Sequence, residues 1–133
     1  SMSPQIEQGE AVLINKAAYT FLKPKRYDLI AFQNTDGRVC IRRVIGLPGE
    51  SVNIREGLVY IDGEVLDKFF EASSGGLAAD EIKLASNEYF VLGDNRVGSE
   101  DSRISTIGNV TEDMIIGNAW IRVLPVKRIG FIK

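Results

Sequence analysis

The residues able to do chemistry gather in three short segments. The richest is Gly93-Asp94-Asn95-Arg96-Val97-Gly98-Ser99-Glu100-Asp101-Ser102-Arg103, which follows the apolar run Tyr89 to Leu92. A serine set among aspartates and arginine reads as a polar network in which Asp101 and Arg103 could pair and hold Ser99 in place; the plainer reading is a solvated loop. The second segment, Arg42-Arg43-Val44-Ile45-Gly46-Leu47-Pro48-Gly49-Glu50, is a strand ending in a sharp turn, with proline presetting one backbone angle and glycine permitting the next. The third, Ser1-Met2-Ser3-Pro4, precedes the apolar run Ala11 to Asn15 and sets a serine at the lip of a sheet.

Composition narrows the chemistry. The 133 residues contain no histidine and only one cysteine, Cys40, which excludes an intramolecular disulfide, Cys/His zinc sites and any Ser-His or Cys-His pair. No metal or cofactor is expected. The formal net charge of -2, with both signs interleaved, gives no electrostatic case for nucleic acid. With 44% hydrophobic residues the chain can build one domain, 1–133, and no second one. No run approaches the roughly 18 apolar residues of a membrane span, so the chain is expected to be a soluble protein or a soluble piece of an anchored one.

Seven short apolar runs must position these segments: Ala11 to Asn15, Tyr27 to Phe32, Val39 to Ile45, Ser51 to Ile54, Leu58 to Ile61, Tyr89 to Leu92 and Ala119 to Leu124. They read as strands. Asp36-Gly37 and Asp62-Gly63 each separate two runs and predict tight antiparallel hairpins with positive backbone angles. Thr111 to Ile116 predicts a brief helical turn capped by Thr111, and 70–85 a long irregular insert whose Ser73-Ser74-Gly75-Gly76 is a loop tip. The predicted fold is mainly β, of antiparallel sheets.

Together the three segments resemble type I signal peptidases, whose motifs run Ser-Met-x-Pro, then Lys-Arg-x-x-Gly-x-Pro-Gly, then Gly-Asp-Asn-x-x-x-Ser-x-Asp-Ser-Arg, in that order. Arg26-Tyr27-Asp28-Leu29-Ile30-Ala31-Phe32 also resembles the family's Gly-Asp-Ile-Val-Val-Phe strand, with Tyr27 replacing its glycine. The resemblance implies a small barrel-like catalytic domain of antiparallel sheets, on the extracytoplasmic side of the cell membrane, behind an anchor and an upstream strand that this chain lacks. By it Ser1 is the nucleophile, Arg42 stands at the position of the general-base lysine, and Ser99 orients the base. Asp94, Asp101 and Arg103 form the structural network. The implied partner is the signal peptide of an exported preprotein, extended along Val39, Cys40 and Ile41, with Met2 and Ile41 at shallow pockets that select small residues.

Arg42 puts cleavage in doubt. A serine hydroxyl attacks an amide only when a base removes its proton, and a desolvated neutral lysine can do so. Arginine starts far higher than lysine, so bringing its pKa to about 7 costs roughly 8 kcal/mol. Arg42 is therefore expected to stay charged and donate hydrogen bonds, to Ser1, Ser99 or a substrate carbonyl. Arg43 points to the opposite face by strand alternation, and Lys16 and Lys25 lie outside the matching motif. Three other readings stand beside the inactive peptidase. One is a non-cleaving relative that binds peptide, of the kind associated with pilins and pilus assembly proteins in Gram-positive bacteria. The second is a hydrolase using the free amine of Ser1, and the third a β-rich domain whose motifs are only turns and a salt bridge.

Overall fold

The structure is a computed structural model that describes residues 2, 6, 11–20, 22–70, 75–95, 99–124 and 128–132, with the backbone alone at 67–70 and 121–124. Eleven strands form among these residues: β1 Ala11–Asn15, β2 Leu29–Gln33, β3 Val39–Gly46, β4 Ser51–Arg55, β5 Leu58–Ile61, β6 Glu64–Phe70, β7 Ile82–Lys83, β8 Glu88–Leu92, β9 Val110–Thr111, β10 Ile115–Leu124 and β11 Gly130–Phe131. The larger sheet runs β1-β10-β2-β3-β8-β9, with β11 added on β10, and the smaller runs β6-β5-β4-β7. Every strand pairing is antiparallel. The sheets are open, which corrects the expected barrel-like closure: the larger ends at β1 on one side and β9 on the other.

Alternation along β3 sends its side chains into different cores, because successive residues of a strand point to opposite faces. Ile45 joins Val52, Ile54, Val59, Leu84 and Phe90 between the two sheets. Cys40 and Val44 join Ile30, Phe32, Tyr89, Val91 and Val110. A third, smaller group is Met2, Leu29 and Ala119, with Ile41 packed against it. One strand therefore meets every apolar cluster, so its position is fixed from both sides.

The turn after β3 explains its own sequence. The Glu50 amide donates to the Leu47 carbonyl at 3.0 Å, and Gly49 has φ +83°, so Pro48-Gly49 forms a type II turn. A Cβ on Gly46 would stand 2.7 Å from Val52 Cγ2 and 2.8 Å from Leu84 Cδ1, so only glycine lets β4 and β8 close here. Glu50 locks the turn by accepting from the Leu47 amide at 2.7 Å and from both terminal nitrogens of Arg26 at 2.8 and 2.7 Å. The Glu50 carboxylate, hydrogen-bonded to it, holds the Arg26 guanidinium above its ordinary pKa.

Local details differ from expectation. The Asp36-Gly37 hairpin is wider than a two-residue turn. The Asn34 amide donates to the Arg38 carbonyl at 2.8 Å, Asn34 Oδ1 accepts from the Asp36 and Arg38 amides, and only Gly37 takes a positive φ. Asp62-Gly63 is the tight turn expected, but Glu56-Gly57 makes a second one between β4 and β5, with φ +51° and +78°. Glutamate has none of the preference for this backbone that asparagine and aspartate have, which hid the turn in the sequence. At Thr111 the hydroxyl makes no capping bond to the helical backbone; it donates instead to the Asp113 carboxylate, and the turn it precedes is a 3-10 helix of only Glu112–Met114. Within 70–85 the described residues include a 3-10 turn, Gly76–Ala79, and β7. Ala78 and Leu84 are buried in the core. Of the expected loop tip, Ser73 and Ser74 lie outside the described residues.

Candidate active site

The site is built on the half of β3 that lacks a second neighbour. β2 pairs with β3 from Leu29↔Arg43 to Gln33↔Val39, whereas β8 pairs only with Arg43, Val44 and Gly46. Among the described residues, Val39 to Arg42 have no ladder partner on the β8 side. Val39 is 61% exposed, Cys40 is buried, and Ile41 is half-buried against Met2 and Leu29. The expected substrate-binding residues therefore stand along one strand edge, and Met2 and Ile41 share an apolar cluster.

Arg42 projects from this edge on the Cys40 and Val44 face. Its Nε donates to the Glu100 carbonyl at 2.7 Å and its Nη1 to the Ile41 carbonyl at 2.7 Å. Burial pushes the guanidinium below its ordinary pKa, opposed by the negative charge of Asp101 and Glu100 nearby. The structure does not give Arg42 the expected contact with Ser99: the guanidinium reaches the carbonyl of the next residue instead. Ser99 Oγ is buried and has no hydrogen-bond partner. Ser1, the expected nucleophile, lies outside the described residues.

Around the strand the polar residues pair closely. Arg43 donates to both Asp94 oxygens at 2.9 and 2.8 Å and to the Tyr27 carbonyl at 2.9 Å, and both side chains of the ion pair are only 10% exposed. Asp101 accepts from Arg103 Nε and Nη2 at 2.9 and 3.0 Å, from the Arg103 amide at 3.1 Å and from the Gly93 amide at 3.0 Å. Ser102 bridges the loop to β8, its Oγ accepting from the Val91 amide at 2.8 Å while its own amide donates to the Val91 carbonyl. Asp101 and Arg103 thus hold the loop backbone that carries Ser99 and make no bond to Ser99 itself.

Two residues outside the sequence expectation complete the picture. Arg43, set aside as facing away, is the partner of Asp94, and strand alternation together with an unpaired aspartate downstream was the signal for it. Arg38 pairs with Glu100 at 3.3 Å on the exposed rim beside Arg42. Tyr27, standing where the resembling pattern has glycine, has φ +75°, the left-handed backbone that favours glycine. No group of three or more residues suited to hold a metal ion occurs among the described residues.

Open antiparallel sheets, a strand edge paired on one side only and bearing a cation, and two buried carboxylate-arginine pairs define the class, a β-rich domain with one half-paired strand edge among the described residues. Residues 1–124 match the family described as signal peptidase, peptidase S26, and the chain belongs to that family. It is 33% identical over 139 aligned positions to a probable signal peptidase I-2 of Synechocystis sp., a match covering 99% of this chain and 63% of that relative. It is 36% identical to signal peptidase I of Leptolyngbya laminosa, over 98% of this chain and 68% of the other. The chain thus spans about two thirds of the length of these relatives. A crystal structure of a signal peptidase I from Enterococcus faecalis superposes with a TM-score of 0.57 at 32% identity, covering 72% of this chain and 96% of that one.

Proposed function

We propose that this chain is the extracytoplasmic part of a type I signal peptidase, that it receives the signal peptides of exported preproteins, and that Arg42 keeps it from cleaving them. The observation that carries the reading is the hydrogen bonding of Arg42. Both of its bonds run from N–H groups to backbone carbonyls, so the guanidinium serves as a charged donor. Burial lowers its proton affinity, yet a guanidinium stays protonated in proteins and cannot take a proton from a serine hydroxyl.

The half-paired edge of β3 supports the binding half of the reading. An extended peptide added there gains backbone hydrogen bonds to Val39 and Ile41, while Met2 and Ile41 offer an apolar surface suited to small side chains. In this reading Ser1 is the nucleophile position, Ser99 stands beside the base position, and a membrane anchor precedes the domain. No helix among the described residues is long and apolar enough to cross a membrane.

The same guanidinium favours a second reading, a non-cleaving relative that binds pilins or pilus assembly proteins. The two are separated by Arg42→Lys, assayed against a peptide with small residues one and three positions before the cut. Cleavage gained with lysine and lost again in Arg42→Lys/Ser1→Ala establishes a peptidase disabled at its base. Binding by both forms with cleavage by neither establishes the assembly factor, and absence of both activities overturns the proposal.

A further inference from the structure

Arg42 is a half-buried cation without a carboxylate of its own. Its two neighbouring acids are already engaged: Asp101 by Arg103, and Glu100 by Arg38. Among the described residues no carboxylate oxygen lies within ion-pair distance of Arg42, and its Nη2 donates to nothing. A charge withdrawn from water, hydrogen-bonded only to neutral carbonyls and helped by Asp101 and Glu100 only through space, is held at a cost that an arriving anion offsets. The planar fork of a guanidinium matches the two oxygens of a carboxylate better than any single acceptor.

A second observation points the same way. Ser99 Oγ is shut off from solvent and has no hydrogen-bond partner among the described residues, although buried hydroxyls almost always find one. It belongs to the residue that precedes Glu100, whose carbonyl binds Arg42 Nε, so the loop that holds the guanidinium also carries the orphan hydroxyl one residue away in the chain. Asp101 fixes that loop through the Gly93 amide, so both donors are held in place before any ligand binds.

We propose that Arg42 and Ser99 form a receptor for the terminal carboxylate of a peptide lying along β3. The ligand is an extended peptide that ends in small residues and carries a free carboxylate, in chemical terms the released product of a peptide cleavage and not its uncut precursor. The proposal rests on the reading that the β3 edge receives an extended peptide. An uncut chain presents at the same place a neutral amide, which offers one acceptor and no charge. A lysine base would be partly neutral at such a site and would not hold a carboxylate in this way; the permanent charge of arginine turns the same position from proton acceptor into anion receptor.

The test is a titration of the 133-residue chain with one peptide in two forms, alanine at its last and third-last positions, as the free acid and as the C-terminal amide. The acid is expected to bind about 10- to 100-fold more tightly, the range set by charge-assisted hydrogen bonds. Arg42→Gln should abolish the preference, and Arg42→Lys should reduce it to a few-fold by keeping the charge and losing the fork. Ser99→Ala should weaken the acid several-fold and leave the amide unchanged. Equal affinity for acid and amide in the unaltered chain overturns the receptor while leaving the peptide edge intact; binding of neither form overturns both. A preference that survives Arg42→Gln places the receptor elsewhere and also sinks the assignment.

Discussion

Arg42 and Arg43 are neighbours in sequence and opposites in circumstance. Arg43 turns behind β3, where Asp94 meets it with two oxygens and the Tyr27 carbonyl takes a third bond. Arg42 turns toward the half-paired edge, where two backbone carbonyls accept from it and, among the described residues, no carboxylate forms an ion pair with it, Asp101 and Glu100 acting only through space. One residue type at adjacent positions thus does two jobs. Behind the strand, charge is neutralised and ties loops to the sheet; in front, charge is left available. Residue type alone does not decide between structural and functional arginine, whereas the presence of a dedicated counter-ion does.

The sharpest way to break this comparison is to remove the counter-ion of the other buried pair, Asp101 and Arg103. Asp101 is fully buried and accepts four hydrogen bonds, so Asp101→Ala should remove the buried counter-ion of Arg103 together with the acceptor of the Gly93 amide and cost about 3–5 kcal/mol in urea denaturation. A loss below about 1 kcal/mol would show that the pair contributes little to stability. Next in size is Gly76→Ala. A Cβ there would stand 2.2 Å from the Arg103 carbonyl, at a φ of +56°, while the adjacent Leu77 amide already donates to that carbonyl at 2.7 Å. Clash and left-handed strain together should cost about 2 kcal/mol. If thermal unfolding shows no change, the 3-10 turn yields freely and is not part of that pair's support.

The sequence made the strands legible because the apolar runs are short, β-branched and punctuated by turns; β1 and β5 fall where those runs predict. It also made the ion pairs legible in part. Asp101 and Arg103 are two residues apart, and their pairing needs no knowledge of the fold. The Arg43–Asp94 pair spans 51 positions and needs the β3–β8 pairing to bring it together, so local reading could say which way Arg43 points and not what it meets. Arg42 was readable as a donor from its chemistry, but its acceptors are backbone carbonyls, which carry no side-chain signature. The turn at Glu56-Gly57 was hidden for a similar reason: glutamate has no special preference for the left-handed backbone that the hairpin requires of it.

Tyr19 offers an uncharged counterpart to the arginines. Its hydroxyl donates to Asp28 at 2.8 Å and accepts from Asn118 Nδ2 at 3.2 Å, tying the segment before β2 to β10. Burial, and then the bond to Asp28, push its pKa above the ordinary tyrosine value. The sign follows directly. A hydroxyl that binds its proton more tightly when folded contributes fully below the unfolded value of about 10 and loses that contribution as pH rises above it. Tyr19→Phe should cost about 1 kcal/mol at neutral pH through the lost hydrogen bonds and make the alkaline fall in stability shallower. An unchanged alkaline limb in denaturation measured from pH 9 to 11 would show that Tyr19 does not titrate with unfolding.

The smallest expected effect is the most telling. Arg42→Met removes a half-buried charge and two hydrogen bonds to carbonyls while keeping most of the side-chain volume. Loss of the two bonds and relief of an uncompensated charge act in opposite directions, so the change in stability should stay within about 1 kcal/mol. The matched change Arg43→Met strands Asp94 and should cost several times more, about 3 kcal/mol. Measured side by side by urea denaturation, the pair tests whether the front of β3 is held for something other than folding. If the two substitutions cost the same, Arg42 is a structural residue like its neighbour. If only Arg43 is costly, an arginine that stabilises nothing stands at the position where this family's resemblance places its base, and its retention there has to be explained by what binds the edge.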